Sequence, residues 1–131
     1  RGATVADVLL RPHVTYLPAM RPVLGTVHAM AHITGGGLPG NVNRMLPPTL
    51  DAAIDTTSWT VPNQFARLVE AGRVAPAEAF RTFNMGVGLV VACAPADADT
   101  VIAAATAAGQ RAWRAGTVVP GTGAVRLLGL A

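Results

Sequence analysis

Short apolar segments separated by glycine and proline residues run along the chain, and this pattern predicts strands that alternate with helices. Apolar runs of strand length predict strands at 27–33, 52–56, 86–93, 111–119 and 124–128. Prolines at suitable starts and glycines or prolines at suitable ends predict helices at 20–24, 38–45, 62–71 (with Gly72 just after the end), 76–80 and 95–109. A turn at 120–123 is expected to join the last two strands. The alternation predicts a mixed β-sheet with packed helices, of the α+β or the α/β class.

The first eighteen residues do not follow this pattern. Pro12 and Pro18 favour an extended linker or edge strand over residues 1–18, and residues 19–131 are predicted to form one domain. The length of 131 residues fits a single domain. Because the chain starts at Arg1 without an initiator Met and reads as mid-chain sequence there, we expect a piece of a longer protein.

Composition excludes several classes of function. All ten basic residues are Arg, and they are scattered rather than clustered, while aromatic residues make up only 5% of the chain. We therefore expect no nucleic-acid partner despite the formal net charge of +3. No apolar run of 18 or more residues and no signal peptide is present, so we expect no membrane association. The single Cys93 excludes an internal disulfide and fits the cytoplasm.

A glycine triplet between a predicted strand and a predicted helix is the strongest local signal for chemistry. Gly35, Gly36 and Gly37 let backbone N–H groups converge on an anion, and Thr34 adds a hydroxyl. Asn41 follows about one helical turn later. The segment is not a P-loop, since the terminal Gly-Lys-Ser/Thr is missing. Its pattern predicts a phosphate site, with a flexible turn as the alternative.

Two further groups of polar residues are candidates for lesser roles. His32 stands two residues before Thr34 and is a candidate substrate contact. Its i, i+4 partner His28 suggests a zinc pair, but no third ligand lies at a telling distance, so no metal site is predicted. Asn84 precedes Gly86 and Gly88 and is a candidate hydrogen-bonding partner for a substrate amide, whereas the spacing of the two glycines alone is better explained by close packing. No residue is assigned a catalytic role.

The order of several segments carries a resemblance to a known family. The chain reads His-Ala-Met-Ala-His-Ile-Thr-Gly-Gly-Gly-Leu-Pro-Gly-Asn over 28–41, Ser-Trp-Thr-Val-Pro over 58–62 and Arg-Thr-Phe-Asn-Met-Gly-Val-Gly over 81–88. In this order and spacing, the segments closely resemble the C-terminal domain of the phosphoribosylformylglycinamidine cyclo-ligases, also called aminoimidazole ribonucleotide synthetases. The match runs from about Val8 to the end of the chain. One departure lies at 11–16, where the family usually has a Pro-Thr-Arg/Lys-Ile-Tyr stretch and this chain lacks the basic residue.

The resemblance implies an α+β fold and an ATP-dependent ligase of de novo purine biosynthesis. Such an enzyme converts formylglycinamidine ribonucleotide to aminoimidazole ribonucleotide. The resemblance further implies that an N-terminal domain, not seen in this chain, binds most of the ATP and Mg²⁺ and forms a homodimer. We therefore expect a phosphorylated small-molecule substrate, that domain as a partner, and no activity from this chain alone.

Two other interpretations stay open at this point. The chain could be a stand-alone module that binds phosphate or docks a partner domain without catalysis. It could also belong to another member of the same ATP-dependent superfamily, although the segment at 81–88 favours the cyclo-ligases.

Overall fold

The computed structural model describes residues 2–130 and has an α+β fold, which confirms the predicted class. Arg1 and Ala131, the outer ends of the two predicted segments, lie outside the described residues. The helices are Val5–Leu9 (α1), Leu17–Met20 (α2), Gly37–Val42 (α3), Asn63–Gly72 (α4), Pro76–Thr82 (α5) and Ala98–Ala107 (α6). The strands are Val27–His32 (β1), Leu50–Asp55 (β2), Leu89–Cys93 (β3), Gly116–Pro120 (β4) and Val125–Leu128 (β5). Single 3₁₀ turns occur at Arg21–Val23, Asn43–Met45, Thr56–Ser58 and Pro95–Asp97.

The strands form two small sheets. In the first, β1 and β3 pair antiparallel, with His32 opposite Leu89 and a register shift between Val27 and Ala29. In the second, the order is β4-β2-β5, with β4 antiparallel and β5 parallel to β2. The second sheet is therefore mixed, as predicted.

The connection between β4 and β5 crosses the start of β2. The predicted turn does join these two strands, but they lie on opposite sides of β2 and do not pair with each other. We call residues 121–124 the crossing loop. The buried carboxylate of Asp51 holds it in place: Oδ1 accepts from the backbone N–H groups of Thr122 (2.7 Å) and Ala124 (2.9 Å). Glycine is required at position 121 because a Cβ there would collide with the Asp51 carboxylate.

Two groups of buried apolar side chains form the core. The larger one packs α3 and α5 against both sheets and includes Ile33, Leu38, Val42, Trp59 and Phe80. The smaller one packs α2 against α6 and contains Ala19, Met20, Val23, Val101 and Ala105. Within residues 2–130, no helix is both long and apolar enough to cross a membrane.

Several predicted elements need correction. Residues 1–18 are not uniformly extended, because α1 forms there with a capping box in which Thr4 and Asp7 exchange hydrogen bonds. Pro12 follows this helix and does not interrupt it. The predicted strand at 111–119 forms only from Gly116 onwards, and the strand predicted at 86–93 begins at Leu89. Gly72, expected after the end of its helix, is instead the last residue of α4, and Arg73 takes the left-handed conformation (φ 48°).

Candidate functional site

Residues 34–37, which we call the glycine loop, connect β1 to α3. Gly36 and Gly37 have φ values of 97° and 58°, a region that favours glycine. A Cβ at Gly37 would overlap the carbonyl group of Phe80 in α5. The triplet therefore serves two purposes: it turns the chain and lets the loop approach the backbone of α5.

The side chain of Asn41 holds the carbonyl groups of this loop. Asn41 is only 5% exposed, and its Nδ2 donates to the carbonyl oxygens of Thr34 (3.3 Å), Gly35 (3.3 Å) and Gly37 (2.8 Å). Its Oδ1 accepts from the Thr34 hydroxyl at 3.3 Å. Both polar atoms of Asn41 are thus engaged within the loop, so its observed role is to shape the loop.

With the carbonyl groups turned toward Asn41, backbone donors remain available. The N–H of Gly37 donates to the Thr34 carbonyl at 3.0 Å. The N–H groups of Gly35 and Gly36 have no acceptor among residues 2–130, and both residues are exposed. Paired free N–H groups of this kind form a concave site for an anion.

A shallow depression of about 270 Å³ lies beside the loop. It is lined by Met30, Ala31, His32, Asn41, Arg44 and Met45. Arg44 is exposed and forms no ion pair within the described part of the chain. The structure thus brings His32 and Asn41 to one depression beside Thr34 and the three glycines, and adds a guanidinium group.

Asn84 lies in a separate turn after α5. Its Oδ1 accepts from the N–H of Gly86 at 2.9 Å, and it does not line the depression. Met85 and Gly86 have φ values of 50° and 95°, and Trp59 Nε1 donates to the Met85 carbonyl at 3.0 Å. The indole of Trp59 thus supports the turn, and the side-chain oxygen of Asn84 stabilises it by accepting the Gly86 N–H.

A second depression, of about 240 Å³, borders this turn and was not anticipated from the sequence. Tyr16, Thr60, Gly86, Gln110 and Trp113 are among its lining residues. Burial raises the pKa of the Tyr16 phenol. The phenol occupies the space that a Cβ at Gly88 would need, while Pro62 occupies the corresponding space at Gly86. Both glycines therefore make room for neighbouring side chains, in agreement with close packing as the reason for glycine at positions 86 and 88.

The second depression also carries a positive charge. The Arg111 guanidinium carbon lies 5.7 Å from the centre of the Trp113 ring. Arg44 and Arg111 are the functional candidates that sequence reasoning passed over. The sequence feature that could have identified Arg44 is its position about two helical turns after the glycine triplet.

The described residues do not fit a resident metal ion. Mg²⁺ prefers carboxylate oxygens, and zinc needs three or four His, Cys or carboxylate ligands. No group of three or more such side chains that could hold a metal occurs in residues 2–130. Hydrogen bonds from the Thr122 and Ala124 N–H groups, then from Arg126, lower the pKa of Asp51. This buried carboxylate is therefore ionised, and its charge is already paired within the fold.

A family model describes the same chain. Residues 1–128 match "AIR synthase related protein, C-terminal domain". The chain belongs to this family. Individual relatives agree with the family model, and the three described next each carry the name phosphoribosylformylglycinamidine cyclo-ligase.

The relative from Xanthomonas oryzae pv. oryzae is 42% identical over 130 residues, which covers 96% of this chain and 38% of the relative. The relative from Burkholderia vietnamiensis is 45% identical over 119 residues, 89% of this chain and 34% of the relative. The relative from Synechococcus elongatus is 46% identical over 136 residues, 98% of this chain and 38% of the relative. The chain thus spans little more than a third of the length of these relatives.

Proposed function

We propose that this chain is the C-terminal domain of an ATP-dependent cyclo-ligase that converts formylglycinamidine ribonucleotide to aminoimidazole ribonucleotide. The observation that carries the proposal is the identity of 42–46%, over most of the chain, to relatives named phosphoribosylformylglycinamidine cyclo-ligase. Purine biosynthesis in the cytoplasm follows from this activity.

Within this function, the glycine loop and its neighbours hold a phosphate group. The free N–H groups of Gly35 and Gly36 supply two donors, the Thr34 hydroxyl contacts Asn41, and Asn41 and His32 line the adjacent depression. Arg44 supplies the positive charge that favours a dianion. Helix α3 has only six residues, so its dipole adds little. Gly37 and Asn41 set the geometry of this site, and Asn84 braces the neighbouring turn.

The proposed ring closure depends mainly on how the protein positions the substrate. When bound, ATP supplies the phosphoryl group that makes the formyl oxygen a leaving group. The amidine nitrogen belongs to the same molecule, so ring closure is fast once the substrate is held in the reactive conformation. A phosphate clamp on the glycine loop would fix one end of the substrate for that step.

ATP, Mg²⁺ and the homodimer contacts are assigned to an N-terminal domain of the intact protein. This assignment is supported by the small share of the relatives' length that the chain spans. It also agrees with the lack of a metal-binding cluster of side chains in residues 2–130. The chain alone is therefore expected to be inactive as a ligase.

The test replaces the corresponding C-terminal part of the Synechococcus elongatus relative with this chain. The chimera should form ADP in the presence of formylglycinamidine ribonucleotide, whereas the chain alone should not. Titration calorimetry of the chain alone with the ribonucleotide, and separately with ATP and Mg²⁺, shows which of these two ligands the chain binds. Ribonucleotide binding with a folded but inactive chimera would favour a phosphate-binding module without catalysis. Tight ATP binding by the chain alone would overturn the assignment of ATP to the other domain.

A further inference from the structure

The first sheet has only two strands within residues 2–130, so one edge of β1 has no partner strand. The N–H of Ile33 donates to the carbonyl of Gly88 at 2.9 Å, in a pair that continues the register of β1 with β3. In an antiparallel ladder, residues that bond across alternate with residues that do not. Ala31 therefore bonds to β3, whereas the N–H and carbonyl groups of Met30 and His32 point away from it.

This free edge of β1, which we call the strand edge, borders the depression beside the glycine loop. The strand contributes three consecutive residues to the lining, Met30, Ala31 and His32, and β3 contributes none. A depression on the face of the sheet would instead be lined by alternate residues of both strands. Arg44 and Met45, in the 3₁₀ turn after α3, complete the lining on the other side. The unpaired backbone groups of the strand edge therefore form one wall of the depression.

The carbonyl groups of the strand edge are free to accept hydrogen bonds. Those of Met30 and His32 have no donor among residues 2–130, and both residues are exposed, Met30 to 41%. By contrast, Asn41 holds the carbonyl groups of the glycine loop. A carbonyl oxygen only accepts, so a ligand that covers the strand edge must bring N–H or O–H donors.

The strand edge and the glycine loop thus present different groups to one ligand. The loop and Arg44 supply donors and positive charge, which suit a phosphate, whereas the strand edge adds acceptors. A ligand that fits both carries a phosphate at one end and a group rich in N–H at the other. Formylglycinamidine ribonucleotide has this constitution, because its ribose carries a phosphate on one side and an amidine on the other.

We infer that the backbone carbonyl groups of Met30 and His32 accept hydrogen bonds from the substrate amidine and select it over the corresponding amide. This inference rests on the proposed function, because it needs the substrate phosphate at the glycine loop. A neutral amidine carries two N–H groups, whereas the amide carries one N–H and a carbonyl oxygen. That oxygen is an acceptor, so the amide leaves a carbonyl of the strand edge without a donor once water is displaced.

The first test compares two ligands that differ only in this group. Titration calorimetry of the chain should show that formylglycinamidine ribonucleotide binds about ten-fold or more tightly than its amide analogue. Both ligands carry the same phosphate, so a defective phosphate site would weaken both. Binding of neither ligand would overturn the proposed function and the inference with it. Equal binding of both would leave the phosphate site standing and overturn the inference alone.

Two variants separate the backbone from the side chains of the depression. His32→Ala removes the imidazole but keeps the backbone carbonyl, so the preference for the amidine should stay within about two-fold of the wild type. Arg44→Ala should weaken both ligands by a similar factor, because the guanidinium acts on the phosphate that they share. Loss of the preference in His32→Ala would assign amidine recognition to the imidazole and overturn the inference.

NMR observes the carbonyl groups of the strand edge directly. The carbonyl ¹³C signals of Met30 and His32 should shift when formylglycinamidine ribonucleotide is added, and shift less with the amide analogue. The Ala31 carbonyl is the internal control, because it faces β3 and should not move. Shifts of equal size at Ala31 would reveal a general disturbance of β1 instead of hydrogen bonds at its edge, and would overturn the inference.

Discussion

Two loops of this domain contain closely spaced glycines, and they use their backbone N–H groups in opposite ways. In the crossing loop, all four N–H groups have acceptors: Thr122 and Ala124 donate to Asp51, Gly121 to the Thr49 carbonyl and Gly123 to the Leu50 carbonyl. In the glycine loop, the N–H groups of Gly35 and Gly36 have no acceptor in residues 2–130. The crossing loop carries its own buried anion, and the glycine loop does not.

The side chain that organises each loop explains the difference. A carboxylate accepts only, so Asp51 attracts N–H groups, and Arg126 completes it with hydrogen bonds from Nε (3.1 Å) and Nη2 (2.7 Å). An amide also donates, so Asn41 gathers carbonyl groups, and the N–H groups of Gly35 and Gly36 have no acceptor within residues 2–130. A loop shaped by an amide is suited to an external anion, and this comparison supports the proposed phosphate site.

Removing the internal anion should have the largest effect on stability. Asp51→Ala removes a fully buried carboxylate and leaves the N–H groups of Thr122 and Ala124 without their acceptor, whereas the exposed Arg126 guanidinium can turn to solvent. We expect the melting temperature to fall by about 10–15 °C in differential scanning calorimetry. The matched control is Asp99→Ala, since Asp99 forms an ion pair with Arg114 in which both side chains are exposed. That variant should stay within about 2 °C of the wild type. A similar small change for Asp51→Ala would show that the crossing loop does not depend on the carboxylate.

Lowering the pH should reproduce part of this loss of stability, because it protonates the Asp51 carboxylate. The pKa of Asp51 is lowered from its ordinary value of 3.8, first by the Thr122 N–H and then by the Ala124 N–H. A carboxyl group with a lowered pKa stabilises the fold above its unfolded value and loses that contribution as the pH falls through its folded value. The difference in stability between the wild type and Asp51→Ala should therefore be constant above about pH 5 and shrink below pH 3.8. The pKa values of Asp7 and Asp55 are also lowered, but both proteins share these groups.

Removing the amide of Asn41 should have the next largest effect. Asn41→Ala leaves three carbonyl groups and the Thr34 hydroxyl without their partner, which should cost about 1–3 kcal/mol in urea unfolding. Binding of the ribonucleotide should be lost as well, because the loop no longer holds its shape. Asn43→Ala is the control, since Asn43 is exposed and its side chain forms no hydrogen bond within the described range. If both variants bind equally well, Asn41 does not shape the site.

The sequence predicts the local elements well and the long-range pairing poorly. Apolar runs such as 27–33 become β1, and proline and glycine positions place α5 and α6 to within a few residues. The flanking of β2 by β4 and β5 depends on contacts between residues about seventy positions apart, such as Asp51 with Arg126, and no local pattern encodes these. Helix α1 was missed because Pro12 and Pro18 outweighed the Thr4–Asp7 capping signal.

For the candidate site, the sequence placed most of its candidate residues in one segment but did not reveal the hydrogen bonds that Asn41 forms within the loop. Asn41 and His32 line one depression and Asn41 contacts Thr34, Gly35 and Gly37, because these residues are close in sequence and span one strand-to-helix connection. Asn41 was expected to face a ligand, yet a buried amide beside free carbonyl groups bonds them first. Whether these residues bind phosphate stays a prediction.

The next prediction contrasts two neighbouring glycines. Gly36 has a φ of 97°, so Gly36→Ala should cost about 1–2 kcal/mol and reduce binding of the ribonucleotide, because the strained loop shifts its N–H groups. Gly35 lies in open space without a positive φ, so Gly35→Ala should stay within about 0.5 kcal/mol of the wild type. Urea unfolding and calorimetry measure both quantities. Equal losses in the two variants would contradict a specific loop conformation.

The smallest effect on stability is expected at Thr34. Its hydroxyl donates to Asn41 at 3.3 Å, a long hydrogen bond at an exposed residue, so Thr34→Val should cost about 0.5 kcal/mol or less in urea unfolding. If the hydroxyl turns to a bound phosphate, the same change should weaken ribonucleotide binding about three-fold. Thr34→Ser keeps the hydroxyl and should retain both properties. A loss of stability as large as that of Asn41→Ala would instead make Thr34 the residue that shapes the glycine loop. In that case, the contrast with Asp51 would rest on a hydroxyl and not on an amide.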